Sequence, residues 1–310
     1  MNRWSVRVLG ALGLALVAWA ARAGEAYRFD ELAPGVYLHT GVHAEPTPAN
    51  QGDIANKGVV IGDTCVAVID TGGSLADGQA LLAAVRRVTP KPVCYVIDTH
   101  MHPDHLFGNA AFDTLAPRPV FIADHRLPPA LAQRAAIYLK RWGELLGRAD
   151  QGTRVVPPDR LVDGRMTLDL GGRTLVLQGW PTAHTNNDLT VFDPASGVLW
   201  LGDLLFRERI PSLDGSLEGW LAVSKQLRAI PAKIAVPGHG PAGTDWQAAL
   251  DRQDAYFQAL ARRVRQAIAD GRTLSETVAA TDPAEASGWL LAPAYHTRNV
   301  TAAFAELEWE

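Results

Sequence analysis

Three imidazoles and a carboxylate fall within six residues, His100-Met101-His102-Pro103-Asp104-His105, and such a density of nitrogen and oxygen donors is metal-ligand chemistry. His100 and His102, two apart in an extended segment, project on the same side and can share one ion. Pro103 turns the chain, so Asp104 and His105 can face a second ion a few Å away. Two further histidines stand apart, His184 in Thr182-Ala183-His184-Thr185 and His239 in Pro237-Gly238-His239-Gly240, so five of the nine histidines belong to this set. Asp203, in Leu201-Gly202-Asp203, supplies an oxygen able to bridge. Unused surface or core histidines have no reason to keep spacing, order and placement together.

Donors so far apart in sequence need a scaffold that gathers them, and the hydrophobic pattern describes one. Val59–Asp70 is an apolar, β-branched run that reads as one buried strand ending in the turn Thr71-Gly72-Gly73. Ser74 with Asp77 three residues on is a capping-box arrangement opening a helix, with Leu75, Leu82 and Val85 on one face. Pro90 and Pro92 end it, and Val93–Asp98 is a second buried strand running into Thr99-His100. Strand, helix, strand is a βαβ unit with parallel strands and a right-handed crossover. Further on, Met166–Leu170 and Thr174–Leu177 form a hairpin, and Leu189–Phe192 and Val198–Leu201 flank a turn. A helix starts at Ser216 with Trp220, Val223, Leu227 and Ile230 inward. Ile234–Val236 is a last short strand, and Thr244–Ala269 a long helix whose aromatic stripe is core. His100, Asp203 and His239 thus each follow a strand, and the carboxyl ends of strands are where sites gather in open α/β sheets.

The order THMHPDH, then a lone His, then GD, then PGHG is similar to that of the metallo-β-lactamase superfamily, over about residues 30–245. The resemblance implies an α/β fold, a four-layer αββα sandwich with a dinuclear zinc site between two β-sheets. Carried over position by position, His100, His102 and His184 match the first zinc's ligands, Asp104, His105 and His239 the second's, and Asp203 the bridge. Asp70 in the DTG turn matches a supporting residue. Two positions depart from the pattern. Asp203 stands where the carbapenem-inactivating zinc β-lactamases typically carry Cys, which points toward the broader hydrolases, such as glyoxalase II-like thioesterases. Asn187 stands where the family often has Gly, and Asn tolerates the left-handed conformation such a turn can need. NQGDIANKGVVIGDTCVAVIDTGG, GDLLFRERIPSLDGSLEGWL and HTRNVTAAFAELEWE resemble one subgroup, the exported quinoprotein relay system zinc metallohydrolases, and extend the likeness to nearly the whole mature chain.

Residues 1–23 read as a secretory signal: Arg3 and Arg7, an apolar run from Val8 to Ala20, and the A-x-A site Ala21-Arg22-Ala23. The run is about 13 residues, short of the roughly 20 that a spanning helix needs. Export to the periplasm or beyond is therefore expected, with residues 24–310 as one domain carrying a helical extension from about 244. Removing three signal arginines from 29 basic residues, against 33 acidic ones, leaves a mature charge of −7. That disfavours a nucleic-acid partner, because phosphate binding wants a basic surface. Cys65 and Cys94 sit at similar distances before the turns that end neighbouring strands, and an oxidising compartment would let them pair, with buried thiols the alternative. His39, His43, His125 and His296 lie outside the ligand pattern. Arg207 and Arg209 follow Asp203 and can meet an anionic substrate, although exposed or paired arginines are the plainer reading. Residues 43–57 suit either a loop over the cleft or a plain surface loop.

The expected activity is hydrolysis of an ester, thioester or lactone-type carbonyl of a small molecule. Two zinc ions about 3.5–4 Å apart would hold a hydroxide, with Asp104 orienting it and returning a proton to the leaving group. The donor set also suits manganese or iron. No G-x-S-x-G elbow or Ser–His–Asp set is needed. The alternatives are a β-lactamase, which Asp203 disfavours, and a metal-binding accessory protein of a quinoprotein dehydrogenase system with little turnover.

Overall fold

The computed structural model describes residues 27–310, so the signal-like residues 1–23 lie outside it. Two mixed sheets form the centre. The first runs β1 (Asp30–Ala33), β2 (Val36–His39), β3 (Lys57–Ile61), β4 (Val66–Ile69), β5 (Val93–Ile97), β6 (Val120–Asp124) and β7 (Arg160–Val162), in that spatial order. Its first four strands are antiparallel and β4 to β7 are parallel. The second sheet is ordered β12 (Ile234–His239), β11 (Val198–Phe206), β10 (Leu189–Asp193), β9 (Thr174–Gly179), β8 (Arg165–Asp169), antiparallel except for the β11–β12 pair. Ile69, Ile97 and Ile122 from one sheet meet Leu177, Val191 and Trp200 from the other in a dry layer.

Helices cover both outer faces, which completes the αββα sandwich. Helix α1 (Leu75–Val88) packs Leu81 and Val85 on Val66, Val68 and Val96. Two short turns, α2 (Pro103–Leu106) and α3 (Asn109–Phe112), carry the ligand-rich segment, and α4 (Leu127–Leu146) follows β6. On the second sheet lie α5 (Leu217–Leu227), α6 (Trp246–Ala269), α7 (Leu274–Ala279) and α8 (Ala292–Leu307), where Trp220, Phe257 and Val300 join one apolar cluster. Among the described residues no helix is long and apolar enough to cross a membrane.

The expected βαβ unit is present, with β4 and β5 parallel around α1. Val59–Asp70, however, is two antiparallel strands rather than one. Gly62 N donates to Cys65 O at 2.9 Å, closing a tight turn around the exposed Asp63-Thr64, where Gly-Asp-Thr interrupts the apolar run. Strand β11 also runs on through Asp203 to Phe206, so Asp203 sits within a strand and not after one. The register shifts around Gly202, whose φ is 50°, and that irregularity turns the Asp203 side chain toward the cleft. Ser74 caps α1 by accepting from Asp77 N, but the Asp77 carboxylate bonds Gly73 N instead of the cap residue. Cys65 and Cys94 form a disulfide at the starts of β4 and β5, with a Cα separation of 5.8 Å that is ordinary for such a bridge.

Candidate metal centre

All seven residues proposed as ligands converge at one end of the two sheets. His100, His102, His184 and Asp203 present one donor atom each within 4.8 Å of one another, and so do Asp104, His105 and His239. In the first group His102 Nδ1 lies 3.1 Å from His100 Nε2 and 2.9 Å from His184 Nε2. Asp203 stands between the groups. Its Oδ2 is 3.3 Å from His184 Nε2, while its Oδ1 is 3.2 Å from His105 Nε2 and 3.5 Å from His239 Nε2. Asp104 Oδ2 is 3.3 Å from His239 Nε2 and 3.8 Å from His105 Nε2. A side chain at Gly238 would land on Asp203 Oδ1, so only glycine lets the bridging carboxylate stay where it is.

The opposite nitrogen of every one of these imidazoles has a partner. His100 Nδ1 donates to Thr99 Oγ1 (3.0 Å), His105 Nδ1 to Asp70 Oδ2 (2.7 Å) and His184 Nδ1 to Ser212 O (2.8 Å). His102 Nε2 donates to Asp214 Oδ2 (3.1 Å), and His239 Nδ1 to Ile54 O (2.7 Å). Each ring therefore keeps its proton outside and turns a lone pair inward, the tautomer a metal ligand needs. Phe206 stacks on His239 and Trp220 meets the His184 edge, which fixes both ring planes.

The electrostatics suit the same use. Burial holds His184 down to about 3 and His100 well below the usual imidazole range, so both rings are neutral. Burial would raise the Asp203 and Asp104 carboxyls, but the histidines around them outweigh it and keep both ionised. Burial likewise opposes charge on His105, yet Asp203, Asp70 and Asp104 prevail and favour a positive charge at that point. His105 Nε2 and Asp203 Oδ1 are both buried with no hydrogen-bond partner. Two buried lone pairs facing each other, in a field that favours a cation, fit a bound divalent ion.

Asp70 lies directly behind the cluster. At φ 57° it accepts from Thr99 N (2.8 Å) and Thr99 Oγ1 (2.9 Å) as well as from His105. Asn187 departs from expectation: it is not among the residues of positive φ, and the turn is held instead by Thr185, whose hydroxyl accepts from Asn187 N and donates to Asp188. No left-handed residue is needed there, so neither Gly nor Asn is demanded. His39, His43, His125 and His296 lie elsewhere, bonded to Asp53, Glu208, Val162 O and Tyr256 respectively. Arg207 turns to Asp245, whereas Arg209 reaches the cleft.

Sequence reasoning missed Asp214, Arg134 and Tyr295. Asp214 lies inside the GDLLFRERIPSLDGSLEGWL stretch, the one signal that marked its neighbourhood. The cleft they line has a volume of about 510 Å³, with Asp104, Asp203 and His239 in its wall. The polar loop after β2 contributes Glu45 and Ile54, so it is a cleft wall and not a plain surface loop. Tyr138 and Trp142 of α4 form the more apolar side.

The Metallo-beta-lactamase superfamily model matches residues 51–239, well over half the chain. The chain belongs to this superfamily of metal-dependent hydrolases. It is 24% identical over 212 residues to the linear primary-alkylsulfatase of Pseudomonas sp. (strain ATCC 19151), a match that covers 56% of this chain and 39% of that protein. A probable metallo-hydrolase from Streptococcus pyogenes serotype M6 is 24% identical over 200 residues, covering 61% of this chain and 80% of that protein. Among solved structures, the stereoselective inverting sec-alkylsulfatase Pisa1 from Pseudomonas sp. superposes with TM-score 0.70 at 19% identity, over 91% of this chain and 50% of that one. A metallo-β-lactamase from Pontibacter korlensis gives 0.60 at 21% identity, over 75% and 99%. The superfamily chain thus spans about two fifths of the length of the curated alkylsulfatase.

Proposed function

We propose that this superfamily member is an exported dinuclear hydrolase of a small ester, thioester or lactone-type carbonyl, working beside quinoprotein dehydrogenases in the periplasm. The observation that carries the dinuclear reading is the split of seven donors into two groups that share Asp203. His100, His102 and His184 would hold one ion, Asp104, His105 and His239 the other, with zinc the first expectation and manganese or iron also suited to nitrogen and oxygen donors. Bound there, such ions supply Lewis acidity and a water that ionises near neutral pH.

The chain's own groups then do the rest. Asp104 is an ionised carboxylate at the cleft wall whose Oδ2 faces His239 and His105, which leaves Oδ1 to orient water and to carry a proton to the departing group. Tyr138 and Trp142 shield one side of the cleft from bulk water, which strengthens the field of the buried carboxylates. Asp214 keeps His102 oriented, with Arg134 Nη1 bonded in turn to Asp214.

A second reading is hydrolysis of a sulfate ester, favoured by the alkylsulfatases among the similar proteins. The remaining alternatives are β-lactam hydrolysis, against which Asp203 in place of Cys argues, and an accessory role with little turnover. The test is elemental analysis of purified mature protein, followed by metal-dependent assays on a generic ester, a thioester, an alkyl sulfate and a chromogenic β-lactam. No more than one ion per chain at saturation rejects the dinuclear site. Two ions without turnover of any of the four favours the accessory role.

A further inference from the structure

Among the described residues Arg209, in the cleft wall, forms no ion pair with any carboxylate. Arg209 is 3% exposed, and its Nε is buried with no partner. One Nη2–H donates to the Tyr295 hydroxyl at 2.9 Å. Its Nη1 lies 3.0 Å from His239 Nδ1, but that ring nitrogen already gives its proton to Ile54 O at 2.7 Å and cannot accept another. A buried guanidinium with five donors and one neutral acceptor is expensive unless a ligand completes it.

A second guanidinium stands by the same ring. Arg298 is exposed on α8 and packs 5.0 Å from the Tyr295 ring centroid, as Arg209 does at 5.1 Å. Tyr295 and Arg298 both come from the C-terminal helix, beyond the residues 51–239 that the superfamily model matches. Around the whole cleft the four arginines and four acidic side chains, Glu45 among them, cancel in formal charge. Each divalent ion bound by the histidines and carboxylates then adds two uncompensated positive charges.

We infer that the natural substrate carries a negatively charged group, a carboxylate or sulfate, held at the corner formed by Arg209, Tyr295 and Arg298. The inference rests on the metal-loaded site proposed above and deepens it. Arg209 offers the fixed, desolvated fork that binds planar or tetrahedral oxyanions. Arg298 draws the anion in from solvent.

The test is calorimetry on the zinc-loaded full chain with three probes that share a phenyl ring one atom from the head group: phenylacetate, phenyl sulfate and the neutral phenylacetamide. Either anion is expected to bind at least about 10-fold more tightly than the amide, the worth of one charge-assisted hydrogen bond. The tighter of the two anions identifies whether carboxylate or sulfate is preferred. Arg298→Glu lies on the surface and should fold normally while weakening both anions about 10-fold and leaving the amide unchanged. Arg298→Lys should keep most of the anion affinity. Binding that ignores charge, no binding of either anion, or anion affinities unchanged in Arg298→Glu overturns the inference. Zinc content measured on the same samples separates this from failure of the metal reading: a chain that takes up no zinc overturns both, and a loaded chain blind to charge overturns only the anion corner.

Discussion

Replacing Asp70 with asparagine isolates what one carboxylate behind the metal centre does. The residue has φ 57°, a conformation asparagine accepts, so the backbone should not move. The side chain keeps its shape but exchanges one acceptor oxygen for an NH₂ donor. With the amide nitrogen at the Oδ1 place it opposes Thr99 N, which now donates to Oδ1 at 2.8 Å. Flipped, it opposes His105 Nδ1, which now donates to Oδ2 at 2.7 Å. In the first orientation a buried N–H loses its acceptor, at a cost of about 1–3 kcal/mol in stability. In the second, His105 moves its proton to Nε2 and no longer offers a lone pair to the second ion. Loss of such an outer partner typically lowers metal affinity by about 10–100-fold. Chelator titration with elemental analysis reads the second effect, and denaturant unfolding of the metal-free protein reads the first. If Asp70→Asn kept both ions at wild-type affinity and unfolded within about 0.5 kcal/mol of wild type, the account of Asp70 would be wrong.

Asp104→Asn should retain about one ion and lose about 10²–10⁴ in turnover, whereas His100→Ala should compromise the first group directly; paired metal content and rate measurements compare them. Lys57 is fully buried between Asp53 and Asp77, with Nζ 3.2 Å from Asp77 Oδ2, so Lys57→Met removes the counter-charge the two carboxylates share and should destabilise by about 3–5 kcal/mol in denaturant unfolding. The Cys65–Cys94 bridge spans a sequence separation of 29, so replacing both with Ser should cost about 3–4 kcal/mol of loop entropy; mass spectrometry without prior reduction should find neither cysteine alkylated.

What the sequence determined by itself was the donor set and the main strands and helices, while the layering followed from the resemblance that the motifs carry. Metal-ligand chemistry tolerates few residue types, and the THMHPDH run, His184, Asp203 and PGHG announce it locally, while β-branched runs and amphipathic helices mark strands and cover. The matching heights of Cys65 and Cys94 on neighbouring strands allowed a bridge or two buried thiols, and the tertiary structure decides for the bridge. Only the tertiary structure decided the rest. The break after Ile61 is written as Gly62-Asp63-Thr64, but three turn residues between two short apolar runs fit an irregularity in one strand as well as a hairpin, and only the pairing of Ile61 with Val66 decides it. Asp203 reaches both donor groups because β11 shifts register at Gly202 and leaves Gly238 as the space beside it. The partners that set each imidazole's tautomer lie far off in the chain: Asp214 is 112 residues from His102, and Ile54 is 185 from His239. Arg209 and Tyr295, 86 residues apart, meet for the same reason. Hydrogen bonds carry no periodicity, so contacts at such separations leave no pattern in one sequence and appear only once packing has brought the sheets and the last helix together.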